Sequence, residues 1–350
     1  MTTINMKEYI LGFLLAFFIS WVMTGLMRMT AIKIGLTDKP DGGRKSQKEP
    51  VPYLGGVGII FSFICVLAIG LAFKDVTYKT QIEIVYLLLP AVLMGLVGLW
   101  DDIRNLSPHF RLMMQVIMGL AASLTITFGS TSGSATGNPT FDLLISILWI
   151  VGITNAINFF DNMDGGAAIA AFMVGLGMGT YSLLTAQPYI AGFAFLITGS
   201  LMGFFVWNRR PARIYMGDAG SLFLGMLLAT IAIRIDPINE SKVTSLATPI
   251  LFLALPILDT SVVVISRISR GQSPLQGGQD HLSHRFALRG IRSRYILYSF
   301  VIISAAFQTP IFLAIYLRHE WEILTFVLAA IGFIFTFVFF FRLPIKDVRG

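Results

Sequence analysis

Runs of apolar residues long enough to cross a bilayer recur along nearly the whole chain, and they constrain its fold more than any other feature. They lie near 9–29, 53–73, 84–100, 112–128, 141–160, 166–184, 190–207, 220–236, 246–266, 295–317 and 321–341. A helix needs about 20 apolar residues to traverse the hydrocarbon core. The pattern predicts an all-α, polytopic membrane bundle of about eleven transmembrane helices, one domain over residues 1–350. Several runs are short and rich in glycine, so breaks are expected. The first is followed by no small-residue cleavage site and reads as a retained helix, not a signal peptide. The longest polar stretches are about 25 to 30 residues, too short for a soluble domain.

Composition closes the alternatives. Hydrophobic residues make up 55% of the chain, and Asp, Glu, Lys and Arg only 13%, about half the usual soluble share. So few charges cannot cover a soluble surface, and so much apolar content excludes disorder. Cys65 is the only cysteine, which rules out an intramolecular disulfide, and no paired Cys/His set of the structural zinc kind is present.

The charges sort by side. Loops that follow the odd-numbered runs, with Arg28 and Asp259 of the first and ninth runs counted on the same side, hold 20 of the 26 Lys and Arg and 11 of the 19 acids. The positive-inside rule puts those loops and the C-terminus in the cytoplasm and the N-terminus outside. The net charge of +7 then resolves into +9 on the cytoplasmic face and −2 on the outer face. On a membrane protein this basic face points to anionic lipid or a phosphorylated substrate rather than nucleic acid.

The same loops carry side chains that a plain bundle does not need. Asp101 and Asp102 end the third run, with Arg104 and Arg111 downstream. Adjacent carboxylates repel unless a cation or proton is near; an interfacial charge pair with arginine counterions is the plain alternative. Asn155, Asn158, Asp161 and Asp164 recur at i, i+3 spacing and would share one helix face until Gly165 and Gly166 end it. Their oxygens suit a hard cation such as Mg²⁺. Interhelical hydrogen bonding explains the asparagines, but not both aspartates. Asn208 and three arginines precede Asp218, which sits between glycines where a helix begins; it reads as an N-cap or a ligand. Arg209 and Arg210 read equally well as topology determinants.

Two basic loops remain. His281, His284 and Arg285 follow Gly277–Asp280 in the longest of them and read as phosphate ligands, since no third His or Cys completes a metal set. Asp38–Gly56 is turn-rich and carries Arg44, Lys45 and Lys48, which suit either anionic lipid head groups or a substrate. Carboxylates with an oxygen-ligated metal, beside cationic side chains, are the ingredients of phosphoryl transfer. There is no Walker-type loop, so ATP-driven transport is unsupported. A secondary transporter would gather its ionisable groups near the midplane at a repeat interface; here they sit at helix ends, and no repeat is seen.

With these motifs assembled, the chain resembles the polyprenyl-phosphate N-acetylhexosamine-1-phosphate transferases. The likeness is carried by Asp101-Asp102 with Leu-Ser-Pro and Arg111, the Asn155–Asp164 stretch, Met216–Ser221 and the His281 loop. It implies transfer of GlcNAc-1-phosphate, or a related HexNAc-1-phosphate, from a UDP-sugar to undecaprenyl phosphate, releasing UMP. The product would initiate cell-envelope polymers such as lipopolysaccharide or teichoic acid. By position, the resemblance makes Asp218 and Asn158 ligands of Mg²⁺ (or Mn²⁺), and Asp101 or Asp102 the partner of the lipid phosphate. It gives Asn155, Asp161, Asp164 and Asn208 to the nucleotide-sugar pocket. Lys48, Arg111, His281, His284 and Arg285 fall to the phosphates or sugar. It implies a multi-pass protein of the plasma (inner) membrane with a cytoplasmic active site, and allows a homodimer. Two positions depart from the pattern: Ser283 stands where a third histidine is usual, and Arg111 where lysine is frequent. The related phospho-MurNAc-pentapeptide transferases are the alternative within the same chemistry.

Overall fold

A computed structural model describes residues 5–38, 50–74, 76–127, 136, 138–237, 242–274, 278–317 and 319–345. Its helices are α1 (Met6–Lys33), α2 (Gly55–Phe73), α3 (Tyr78–Arg104), α4 (Pro108–Thr127), α5 (Pro139–Phe160), α6 (Gly166–Leu184), α7 (Pro188–Asn208), α8 (Gly217–Ala232), α9 (Lys242–Phe252), α10 (Ala254–Ser269), α11 (Leu282–Leu288), α12 (Ser293–Leu313) and α13 (His319–Phe341). Among the described residues the only strands are β1 (Thr37–Asp38) and β2 (Val51–Pro52), paired antiparallel. The expected all-α, polytopic membrane bundle is what forms.

Among the described residues nine helices are long and apolar enough to cross a membrane, and two of the expected spans take other forms. The ninth apolar run breaks at Leu253 into α9 and α10, which meet at a 77° bend. Pro249 and Pro256 flank the break, and proline removes a helical donor and crowds the preceding turn. The eighth run becomes α8, only 16 residues long. Every residue from Ala219 to Ala232 is buried, so α8 is the axis around which the other helices close. It packs most extensively on α3 and α5, and α1 and α6 close on α7 further out.

Close approach fixes the start of α8. Gly98 of α3 lies against the Asp218 carbonyl, leaving no room for a Cβ. The chain before it is pinned by backbone bonds: Tyr215 N–H donates to Pro52 O (2.8 Å), Gly55 N–H to Tyr215 O (3.0 Å) and Gly56 N–H to Met216 O (2.8 Å). The β1–β2 pair is thereby tied to the same corner as α8. Arg44, Lys45 and Lys48 lie outside the described residues.

Candidate active site

The C-terminal ends of α3 and α5 and the N-terminal end of α8 converge on one cavity of about 960 Å³. Asp101, Asp102, Arg111, Asn158, Asp161, Asp164, Asn208, Asp218 and His284, all singled out from the sequence, line it. They come from α3, α4, α5 and the turn after it, α7, α8 and α11.

The acidic floor is already cross-braced. Arg111 Nη1 donates to Asp101 Oδ2 at 2.7 Å and to Asp218 Oδ2 at 2.8 Å. Asp101 also accepts the Leu106 N–H at 2.6 Å. Asp102 accepts the N–H groups of Asp218 (2.9 Å) and Ala219 (3.1 Å), capping the first turn of α8, where backbone donors are free. On the other side, Asn158 Nδ2 donates to Asp218 Oδ1 (2.7 Å) and Ser221 Oγ (2.9 Å).

The Asn155–Asp164 stretch folds differently from the single helix face that its spacing suggests. Helix α5 stops at Phe160, Asp161 is its C-cap, and 161–165 form a turn ending in left-handed Gly165 (φ 73°). Asp161 and Asp164 therefore reach the cavity from a turn. Asp164 accepts the Ala212 N–H at 3.2 Å. Asn208 accepts the Gly165 N–H (3.0 Å) and donates to Ile214 O (2.9 Å), stapling the turn to the loop before α8. Asn155 does not line the cavity. It forms an amide pair with Gln115 of α4, donating to Gln115 Oε1 at 2.6 Å, because one turn back along α5 it faces α4.

The histidine loop divides likewise. His284 lines the cavity; its Nδ1 is buried and has no hydrogen-bond partner among the described residues. Burial, with His281 nearby, pushes its pKa down to about 4, so the ring is neutral near pH 7. His281 stands behind it, buried, with Nδ1 2.7 Å from Asp259 Oδ2. Arg285 is a correction: the sequence assigns it to phosphates, yet it is 1% exposed and lies outside the cavity lining. Its guanidinium is used by Asp280, Ser266 and the end of α13. Burial would raise the Asp280 carboxyl, but the Arg267 fork at 2.7 and 2.9 Å holds it below its ordinary value.

Several residues join that the sequence did not single out for the site. Tyr53 and Tyr215 face each other across the rim at 6.4 Å between ring centroids, with Asp38 beside Tyr53. Burial raises both phenols. Asn162 accepts the Ser283 hydroxyl, so the residue at the missing third histidine ties α11 to the α5–α6 turn. Asp259 is wholly buried in α10. An acid inside an apolar run is the signal that would have found it.

The charge balance bears on a metal. Burial pushes Asp161 up to about 7, and the negative charges of Asp102 and Asp164 add to the rise. A cluster of carboxylates under such mutual repulsion suits a divalent cation, and carboxylate and amide oxygens suit a hard one. Among the described residues no three His, Cys, Asp or Glu side chains are already gathered as a ligand set. The donor chemistry fits, with Asp218 and Asn158 side by side on the cavity wall.

Comparison with known proteins gives the same direction. The family model described as Glycosyl transferase family 4 matches residues 84–236, which carry every acidic group of the cavity floor. Over 315 residues the chain is 29% identical to a protein of Bacillus subtilis named as a probable undecaprenyl-phosphate N-acetylglucosaminyl 1-phosphate transferase. That alignment covers 87% of this chain and 84% of the relative. A phospho-N-acetylmuramoyl-pentapeptide-transferase of Limosilactobacillus reuteri is 31% identical over 202 residues, covering 54% of this chain and 62% of the relative. One from Streptococcus pneumoniae is 30% identical over 200 residues, with 54% and 60% covered.

Proposed function

We propose that this chain, which is similar to glycosyl transferase family 4 over residues 84–236, moves a sugar-1-phosphate from a UDP-N-acetylhexosamine, UDP-GlcNAc first, to undecaprenyl phosphate. The observation that carries the reading is the convergence of Asp101, Asp102, Asn158, Asp161, Asp164 and Asp218 with Arg111 and His284 around one cavity. The substrate choice is supported by the Bacillus subtilis relative, whose alignment runs through most of both chains. The cavity faces the cytoplasm of the plasma membrane in this reading, as the distribution of Lys and Arg supports.

In the reaction an oxygen of the lipid phosphate attacks the β-phosphorus of the UDP-sugar. The bond from that phosphorus to the bridging oxygen breaks, and UMP leaves. A lipid phosphate is largely ionised near neutral pH, so the site positions it more than it deprotonates it. Asp101 and Asp102 fit such a role: both are held by hydrogen bonds, one by Arg111 and one by the start of α8. Arg111 places positive charge between Asp101 and Asp218, where charge on the transferring group would be stabilised. Neutral His284 supplies one N–H and one acceptor to the phosphates or sugar. Asp218 and Asn158 would hold Mg²⁺ or Mn²⁺, which would neutralise the charge that develops on the departing UMP.

The test is release of UMP by the purified protein given UDP-GlcNAc, undecaprenyl phosphate and Mg²⁺. UDP-GalNAc and UDP-MurNAc-pentapeptide serve as competing donors. Release from UDP-GlcNAc above the others is expected. No release from any donor, with lipid and metal varied, overturns the reading.

A further inference from the structure

Arg285 is among the largest fully buried side chains of the protein and sits one residue past His284 on α11. Its donors turn away from the acidic cavity. Nε donates to Asp280 O at 2.8 Å and Nη2 to Ser266 Oγ at 3.0 Å. Nη1 faces three backbone carbonyls, Phe340 O at 2.9 Å, Phe341 O at 3.2 Å and Leu343 O at 3.2 Å. These carbonyls close the C-terminal end of α13, where a helix leaves acceptors without intrahelical donors and concentrates negative partial charge. Phe286, the next residue, packs edge-on against Phe340 at 4.8 Å between centroids.

We propose that Arg285 is a positioning residue: it anchors α11 to the C-terminal end of α13 and so holds His281 and His284 in register with the cavity. The inference rests on the transferase reading of that cavity. The far side of the loop is held independently by α10, through the Arg267–Asp280 fork and the Asp259–His281 contact. Without Arg285, the end of α11 loses its hydrogen bonds to α13 and keeps only packing, that of Phe286 on Phe340 included. A guanidinium suits this place because its planar fork serves several carbonyls at once, whereas an ammonium is a point charge on a flexible stem. Much of α13 is exposed along Leu324, Leu328, Ile331 and Phe335, so on the rest of its surface it has the character of a plain lipid-facing helix.

Arg285→Met should lower kcat by about 100-fold, the scale of a 1 Å misplacement, with KM for the UDP-sugar little changed. A lost phosphate contact would raise KM as well. The experiment uses the full chain with Cys65→Ala, Phe286→Cys and Phe340→Cys, joined by a short, reducible bifunctional thiol reagent. Cross-linking should restore most of the kcat of Arg285→Met, and reductant should remove the gain. Contact between Arg285 and substrate could not be replaced in this way. Wild-type kinetics in Arg285→Met, or no rescue on cross-linking, overturns the proposal. If Arg285→Met does not fold, Arg285→Lys carries the same test, with a smaller loss and the same rescue. An inactive wild-type protein would instead count against the transferase reading. The anchor is then judged by hydrogen exchange: loss of Arg285 should speed exchange at 282–288 and 338–343 together, and unchanged exchange overturns it.

Discussion

His281 Nδ1 lies 2.7 Å from the carboxylate of Asp259, and both side chains are buried. The other oxygen of Asp259 accepts the Leu282 N–H at 2.7 Å, so one carboxylate starts α11 and orients the ring. A proton on Nδ1 leaves Nε2 as the acceptor. Asp259→Asn keeps an acceptor for Leu282 but can offer the ring an N–H, favouring the other tautomer. The variant should fold and lose about 10- to 100-fold in kcat, the scale seen when the partner that fixes a functional histidine's tautomer and orientation is disturbed. Steady-state UMP release, measured beside thermal stability, checks this.

Arg111 is the single cation between Asp101 and Asp218 among the described ion pairs. Arg111→Met leaves two carboxylates facing each other without a counter-charge. It should cut kcat/KM by at least 100-fold, since the same group stabilises charge in the transition state. Arg111→Lys keeps the charge but must serve two carboxylates without the fork, and a loss of about tenfold is expected. Equal activity of the Lys and Met variants would remove Arg111 from the reaction.

Packing reaches the chemistry at Gly98. A Cβ there would press on the Asp218 carbonyl and the Ala219 amide, which are backbone and cannot swing aside. Gly98→Ala should cost about 1–3 kcal/mol of stability, as overpacked interiors do. It should lower activity further than the stability loss explains, because the displaced atoms belong to the turn that Asp102 caps. Thermal melts with kinetics on the folded fraction separate the two effects.

Asp161 gives a pH dependence. Its folded pKa of about 7 stands above the ordinary 3.8, so the metal-free fold binds an extra proton between those values. Stability from this group is therefore greatest at low pH and falls as pH rises through 7. A divalent cation reverses the preference by favouring the ionised form. Mg²⁺ affinity should rise from pH 6 to pH 8 with release of protons, seen by calorimetry in buffers of differing ionisation enthalpy. Asp161→Asn should flatten the slope, and Asp218→Ala should abolish both binding and turnover in a folded protein.

The membrane architecture and the acidic floor were legible because each rests on local patterns. Apolar runs mark the spans, and Asp101, Asp102 and Asp218 stand at helix ends where charge is costly unless used. The turn at 161–165 was less legible, since i, i+3 spacing is the same whether a helix continues or stops at Phe160. Asp259 lay hidden inside a run counted as an ordinary span, 22 residues before its partner His281. The role of Arg285 had no local signature at all. Its acceptors on α13 are backbone carbonyls 55 to 58 residues further on, and no side-chain pattern announces them.

The brevity of α8 also has a consequence for where the chemistry takes place. Sixteen residues rise about 24 Å, some 6 Å short of a typical hydrocarbon thickness of about 30 Å. The acidic floor occupies the end where that helix begins. A helix of that length need not reach both faces, so a site at its first turn can lie within the membrane boundary, open sideways to a lipid-borne phosphate and from above to a water-soluble nucleotide, as the proposed reaction requires.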